Sequence, residues 1–138
     1  MEPLEVNMDI LDQVTYWIDE SAESLDTAKV LIEKSKHLES AFFCNLSCEK
    51  MLKAAYIHYS KKIPPKVHSL VKLAQMSAIY EIMGEEMKRF INKLEVFQIE
   101  GRYPENRKRL YETTPKELFS SILQQTEEVV TWIKTHLQ

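Results

Sequence analysis

Apolar side chains recur every three to four residues along most of the chain, which is the period of an amphipathic α-helix. The pattern predicts a first helix that is capped by Asn7 or Asp9 and runs to about Lys36. Its predicted inner stripe is formed by Leu11, Val14, Ile18, Ala22, Leu25, Ala28 and Ile32. A second helix, from about Leu38 to Tyr59, is apolar nearly all round, so we expect it to lie at the centre of a helical bundle.

Prolines and glycines mark where the later helices begin and end. Pro64 and Pro65 end the second helix, because neither residue has a backbone N–H to donate. A shorter third helix is predicted from His68 to about Ile79, and a fourth is predicted to begin near Gly84. The inner positions of these two helices are Leu70, Leu73 and Ala74, followed by Met87, Phe90, Ile91, Leu94 and Phe97.

The C-terminal third combines a break with a clear helix start. We predict a loop over Glu100–Thr114, because Gly101 and Pro104 interrupt the helical pattern. Three signals predict the start of the last helix: Thr114 as its N-cap, Pro115 at the first helical position and Glu117 as the acid of a capping box. Its inner stripe is formed by Leu118, Ile122, Val129 and Ile133.

The composition agrees with a purely helical fold. A chain of 138 residues is long enough for one hydrophobic core, and two glycines are too few for a protein rich in β-hairpins. We therefore predict an all-α, up-and-down bundle of about five helices that forms a single domain over residues 1–138.

The net charge of -3 is unevenly distributed along the sequence. Residues 1–60 contain five Lys and Arg against eleven Asp and Glu, residues 61–116 contain twelve against seven, and residues 117–138 contain one against three. The middle segment therefore has a net charge of +5 within an acidic chain. Such a segment is typical of a local site for an anion, and a solvated surface of mixed charge is the alternative.

The two cysteines, Cys44 and Cys48, lie one helical turn apart. This spacing does not form a zinc knuckle, so we expect both thiols to pack in the core of a protein in a reducing compartment. The N-terminal segment is acidic and lacks the apolar core of a secretory signal, and no apolar run is long enough to span a bilayer. The sequence thus predicts a cytoplasmic protein without a metal site or other cofactor.

The second predicted helix carries three charged residues, Glu49, Lys50 and Lys53. Glu49 and Lys53 are four residues apart, in the order that favours a helical ion pair, which on a surface contributes about 0.2–0.5 kcal/mol. The functional alternative is that the acid orients a lysine toward an anionic ligand. His68 also has two interpretations, as a half-buried side chain at a helix start or as part of that site.

The segment from Arg102 to Arg109 is the basic centre of the chain, with four cationic side chains in eight residues and with Tyr103 and Tyr111 beside them. Guanidinium groups bind phosphate in a bidentate manner, and tyrosine rings stack on bases. A solvated loop that its charges keep soluble is the alternative. We predict that one cleft is lined by Lys50, Lys53, His68, Arg102 and Tyr103, with Arg107–Arg109 at its rim.

Three short motifs resemble those of the HEPN family, whose members are small helical bundles that bind nucleotides or RNA. The first is the acid–lysine pair Glu49 and Lys50, followed by Lys53 in an alanine-rich helix. The second is the junction around His68, where Val67 and Ser69 replace the family's usual threonine and aspartate. The third is Arg102-Tyr103-Pro104, and the resemblance as a whole extends from roughly Asp12 to Ile133.

The resemblance implies a function as well as a fold. It implies a dimeric module that binds a nucleotide or RNA and works with a minimal nucleotidyltransferase partner, as in toxin–antitoxin systems. The residues that it assigns to ligand binding are Glu49, Lys50, Lys53, His68, Arg102 and Tyr103.

The chain lacks the catalytic signature of the HEPN ribonucleases, an arginine separated from a histidine by four to six residues. After Arg102 the corresponding positions hold Arg107, Lys108 and Arg109, and no other arginine has a histidine at that spacing. Histidine supplies the proton transfer that cleavage at a 2′-hydroxyl needs, so a binding module is favoured over an enzyme. Two alternatives remain open: a ribonuclease toxin with a variant site built from Arg102, His68 and Glu49, and an interaction bundle without a ligand.

Overall fold

A computed structural model describes residues 9–138 and shows only helices in this part of the chain. Residues 9–138 form six α-helices and one 3₁₀ turn, which confirms the predicted all-α bundle. They are α1 (Ile10–Glu33), α2 (His37–Ser60), α3 (Leu70–Met76), a 3₁₀ turn (Tyr80–Ile82), α4 (Glu85–Glu100), α5 (Pro104–Thr113) and α6 (Lys116–Thr135). None of these helices is long and apolar enough to cross a membrane.

Helix α2 is the centre of the bundle and packs against each of the other five described α-helices. Its buried side chains surround the helix axis, as its nearly continuous apolar sequence predicts. Cys44 and Cys48 are both free and fully buried in this core, as expected. Burial raises the pKa of the Cys44 thiol to about 11, because a thiolate would lose its hydration there.

The predicted capping of α1 is confirmed at Asp9, whose side chain accepts a hydrogen bond from the Asp12 backbone N–H, while Asn7 lies outside the described residues. The predicted inner stripe of α1 is wrong at two positions, Leu11 and Ala22, which are exposed. Ser21, next to Ala22, is fully buried against α2 instead.

Three serines of α1 and α2, Ser21, Ser40 and Ser47, are buried, and each hydroxyl has a partner on the neighbouring helix. Ser21 Oγ donates to the Ser47 carbonyl at 2.8 Å, and Ser47 Oγ donates to the Ser21 carbonyl at 2.9 Å. Ser40 Oγ donates in the same way to the Ala28 carbonyl at 2.8 Å. These bonds offset the cost of burying a hydroxyl and let the two helices approach closely.

Helix α3 is shorter than predicted and starts two residues later, at Leu70. Ser69 is its N-cap and accepts a hydrogen bond from the Lys72 backbone N–H at 3.2 Å, so the helix start depends on this serine and not on position 67. The predicted inner residues Leu70, Leu73 and Ala74 are all fully buried.

The loop predicted over residues 100–114 is wrong, because α5 occupies Pro104–Thr113. Gly101 is the C-cap of α4, and Pro104 occupies the first turn of α5, where a proline N–H is not needed. Gly101 and Pro104, the predicted breaks within this loop, therefore end one helix and start the next.

The predicted start of the last helix also needs a correction. Pro115 has an extended backbone (φ -62°, ψ 145°), and α6 begins at Lys116 without a side-chain cap from Thr114. The C-terminal stripe is confirmed at Ile122, Val129 and Ile133, which are buried, while Leu118 is partly buried and packs against the core.

Candidate functional site

One surface depression lies between α2, the segment before α3 and the end of α4, with a volume of about 370 Å³. Glu49, His68 and Arg102, which the sequence places in three separate motifs, all line it. Phe42 and Asn45, on the same face of α2 as Glu49, contribute further lining. We call this the Arg102 depression.

The Glu49 carboxylate connects the depression to the core of the bundle. Its Oε2 accepts hydrogen bonds from Lys53 Nζ at 3.0 Å and from His68 Nδ1 at 2.9 Å. The Glu49 side chain is 10% exposed, whereas the His68 side chain is 73% exposed. The buried Glu49 carboxylate thus forms a hydrogen bond with one nitrogen of the accessible His68 ring. This bond orients the ring at the edge of the depression.

A second carboxylate, Glu95 of α4, also lines the depression and holds the start of α3. It accepts hydrogen bonds from Ser69 Oγ at 2.9 Å and from the backbone N–H groups of Leu70 and Val71. A carboxylate at a helix N-terminus satisfies free N–H groups and interacts favourably with the helix dipole. Sequence reasoning missed Glu95, because the groups that it binds lie about 25 residues earlier in the chain.

Lys50 and Lys53 face α1 and are not among the residues that line the depression. Lys50 Nζ lies 3.1 Å from Ser24 Oγ and 3.4 Å from Glu20 Oε1. Lys53 Nζ lies over the Trp17 ring, 5.3 Å from its centroid, in addition to its bond with Glu49. Both lysine side chains therefore contact α1. The sequence, in contrast, predicts that they line one cleft together with His68 and Arg102. Their role in ligand binding stays a prediction.

Arg102 is an exposed cation at the edge of the depression and forms no ion pair with another residue of the described part of the chain. Tyr103, which follows it, is 59% exposed, caps α5 with its backbone and lies outside the lining of the depression. Of the five side chains predicted to line one cleft, His68 and Arg102 are the two that do so.

Arg107 belongs to a neighbouring depression of about 280 Å³, which shares Phe42 and Gln98 with the first. Its guanidinium binds Glu39 Oε2 at 2.6 Å, so its charge is already paired. Lys108 and Arg109 are exposed on α5 and form no ion pair within residues 9–138. The basic segment therefore offers three unpaired cations: Arg102, Lys108 and Arg109.

Asn45 lines the Arg102 depression although its sequence position suggests a core residue. It is 8% exposed, and no group within residues 9–138 forms a hydrogen bond with its side-chain amide. Sequence reasoning missed it; the available signal was a single amide on the predicted central helix, one turn before Glu49.

Comparison with families of known proteins gives one match, in which a model described as HEPN domain matches residues 14–136. Comparison with curated proteins and comparison with solved structures gave no match. The matched residues include every helix that contributes to the depression.

Proposed function

The chain belongs to the HEPN domain family, and from that membership we propose that it binds a nucleotide or an RNA phosphate in the Arg102 depression. In this proposal the protein is a dimeric, cytoplasmic binding module that works with a minimal nucleotidyltransferase-type partner, as in toxin–antitoxin systems. The match over nearly the whole chain supports the first part, a helical module related to nucleotides or RNA.

One observation carries the proposal: residues from three separate sequence motifs line the same depression. Glu49 comes from α2, His68 from the segment before α3, and Arg102 from the connection between α4 and α5. A packed core does not require Arg102 at this place, because its guanidinium is exposed and has no acidic partner among the described residues. A free guanidinium beside a concave surface is suited to bidentate contact with a phosphate.

The other charged groups of the depression have supporting roles. Glu49 and Glu95 accept hydrogen bonds from protein donors, which offsets the repulsion that two bare carboxylates would exert on an anion. His68 is accessible and supplies a second donor once its ring is protonated. Lys108 and Arg109 raise the local positive potential without touching the depression.

The experiment that tests binding is calorimetric titration with ATP, other nucleotides and short RNAs at low salt, repeated at increasing salt. Affinity should fall steeply with salt, because each neutralised phosphate releases counterions. Native mass spectrometry of protein purified from its own host would show bound nucleotide and any partner protein together. If no nucleotide or RNA binds at low salt, the interaction bundle without a ligand becomes the better interpretation.

We expect a homodimer, because apolar side chains on one face of α4 stay exposed. Val96 and Ile99, three residues apart on α4, are 47% and 46% exposed, and Tyr103, just beyond the end of this helix, is 59% exposed. Light scattering at micromolar concentration should give about twice the 16.2 kDa mass of one chain. Ile99→Glu should shift this mass to the monomer.

Val30→Glu is the control, because Val30 is 53% exposed on a different helix, α1. It should leave the dimer intact. A monomer in the unmodified protein contradicts the dimer, and equal effects of the two substitutions contradict the assignment of the interface to α4.

A second function has one specific observation in its favour, the hydrogen bond between Glu49 and His68. A buried carboxylate that holds one imidazole nitrogen leaves the other free for proton transfer at a 2′-hydroxyl, with Arg102 placed to stabilise the phosphate. A ribonuclease of this type would release RNA fragments with cyclic phosphate ends. Both His68→Ala and Arg102→Ala should then abolish release, whereas the binding module leaves the RNA intact.

A further inference from the structure

The Asn45 side chain is the feature of the Arg102 depression that the bundle itself does not explain. The residue is 8% exposed, and its side-chain amide forms no hydrogen bond with another group in residues 9–138. The amide is accessible to solvent, so a ligand in the depression can form hydrogen bonds with it without displacing a protein partner. The amide lines the depression, where a ligand can reach it.

The two carboxylates that line the same depression, in contrast, already accept hydrogen bonds from protein groups. Oε2 of Glu49 accepts two protein donors, and the Glu95 carboxylate accepts a serine hydroxyl and two backbone N–H groups. Asn45 therefore offers one acceptor and two donors that the fold leaves available on the α2 side of the depression.

An aromatic ring stands one turn away from this amide on the same helix face. Phe42 precedes Asn45 by three residues, lines the same depression and is 43% exposed. Its ring meets Phe43 edge to face, with centroids 5.3 Å apart, which restrains its orientation. A restrained, exposed ring beside an unpaired amide is an arrangement suited to a flat heterocycle with a polar edge.

We propose that the depression recognises an adenine base, with Phe42 stacking on the ring and Asn45 binding its N6 and N7 edge. The inference rests on the proposed function, in which Arg102 binds the phosphate of the same ligand. The asparagine carbonyl accepts from the N6 amino group, and the asparagine NH₂ donates to N7. Guanine and hypoxanthine present two acceptors, O6 and N7, at this edge, so the asparagine carbonyl would face another oxygen.

The test compares ligands that differ only at that edge: AMP against IMP, and tetra-adenylate against tetra-inosinate, each by calorimetric titration. The unmodified protein should bind the adenine member of each pair about tenfold more tightly, which lies within the range for one bidentate amide–base contact. Asn45→Leu, which is close in size and apolar, should abolish this preference. Circular dichroism should show the same helical content for both proteins.

Two further variants separate base recognition from phosphate binding. Phe42→Ala should weaken the binding of all four ligands several-fold and keep the preference for adenine, while Phe42→Trp should retain binding. Arg102→Ala should weaken all four ligands by a similar factor.

The possible results are distinguishable. If the unmodified protein binds adenine and hypoxanthine ligands equally, or if Asn45→Leu keeps the preference, base recognition by Asn45 is wrong and phosphate binding at Arg102 stands. If no nucleotide or RNA of any base binds, the proposed function fails, and the adenine site fails with it.

Discussion

Replacing Glu49 with alanine should lower the free energy of unfolding by about 3–5 kcal/mol, the range for removing one partner of a buried ion pair. The side chains of Glu49 and Lys53 are 10% and 11% exposed, and their charged groups lie 3.0 Å apart. Without the carboxylate, the Lys53 ammonium would keep only the Trp17 ring as a favourable neighbour among residues 9–138. Urea denaturation followed by circular dichroism measures the loss.

Two comparisons identify the cause of this loss. Glu20→Ala removes the acid of the Lys50–Glu20 pair, whose carboxylate side chain is 38% exposed, and should cost less than about 1 kcal/mol. The double substitution Glu49→Leu with Lys53→Met removes both charges and should recover most of the stability. A Glu49→Ala protein as stable as the Glu20→Ala protein would show that the pair behaves as a surface pair.

Replacing Arg102 with alanine should weaken nucleotide or RNA binding by about 1.5–3 kcal/mol, the range for hydrogen bonds to charged groups. Arg102 lines the depression and has no acidic partner in residues 9–138, so a phosphate would meet a guanidinium that is free to bind it. The salt dependence of binding should decrease at the same time, because one phosphate contact is lost. Calorimetric titration across a salt series measures both effects.

Arg109→Ala is the matched control for Arg102→Ala, since it removes the same charge from the neighbouring helix α5 and should cost less than about 1 kcal/mol. Arg107→Ala removes an arginine that is already bound to Glu39, and we expect a similarly small effect on binding. All three variants should keep their helical content, because none of these arginines is buried. Equal weakening by Arg102→Ala and Arg109→Ala would contradict the placement of phosphate in the Arg102 depression.

The helical pattern allowed most of the fold to be predicted, and two of its errors, at Ala22 and over residues 100–114, have a common cause. Ala22 was assigned to the core and Ser21 was not, because periodicity counts apolar residues and cannot show that a hydroxyl has a partner on another helix. Likewise, Gly101 and Pro104 predict breaks in a loop, yet in the structure they end α4 and begin α5. A glycine or a proline can lie within a loop or at the end of a helix. Which of these occurs depends on the elements that pack beside it.

The candidate site was also predicted only in part from the sequence. The motifs identified Glu49, His68 and Arg102, which the fold brings to one depression. They also suggested Lys50 and Lys53, yet both lysines bind groups on α1. The spacing of Glu49, Lys50 and Lys53 along one helix does not show which neighbouring helix packs against each side chain.

The sequence by itself determined the helical class, the central place of α2 and the chemistry available at each motif, because these depend on the period and type of residues near one another in the chain. Tertiary structure alone decided that Glu95 holds the start of α3, that Lys53 lies buried against Trp17 and that the Asn45 amide remains unpaired beside Arg102. In each case the groups concerned lie at least twenty residues apart in the chain. Their distances and orientations are therefore set only when the helices pack.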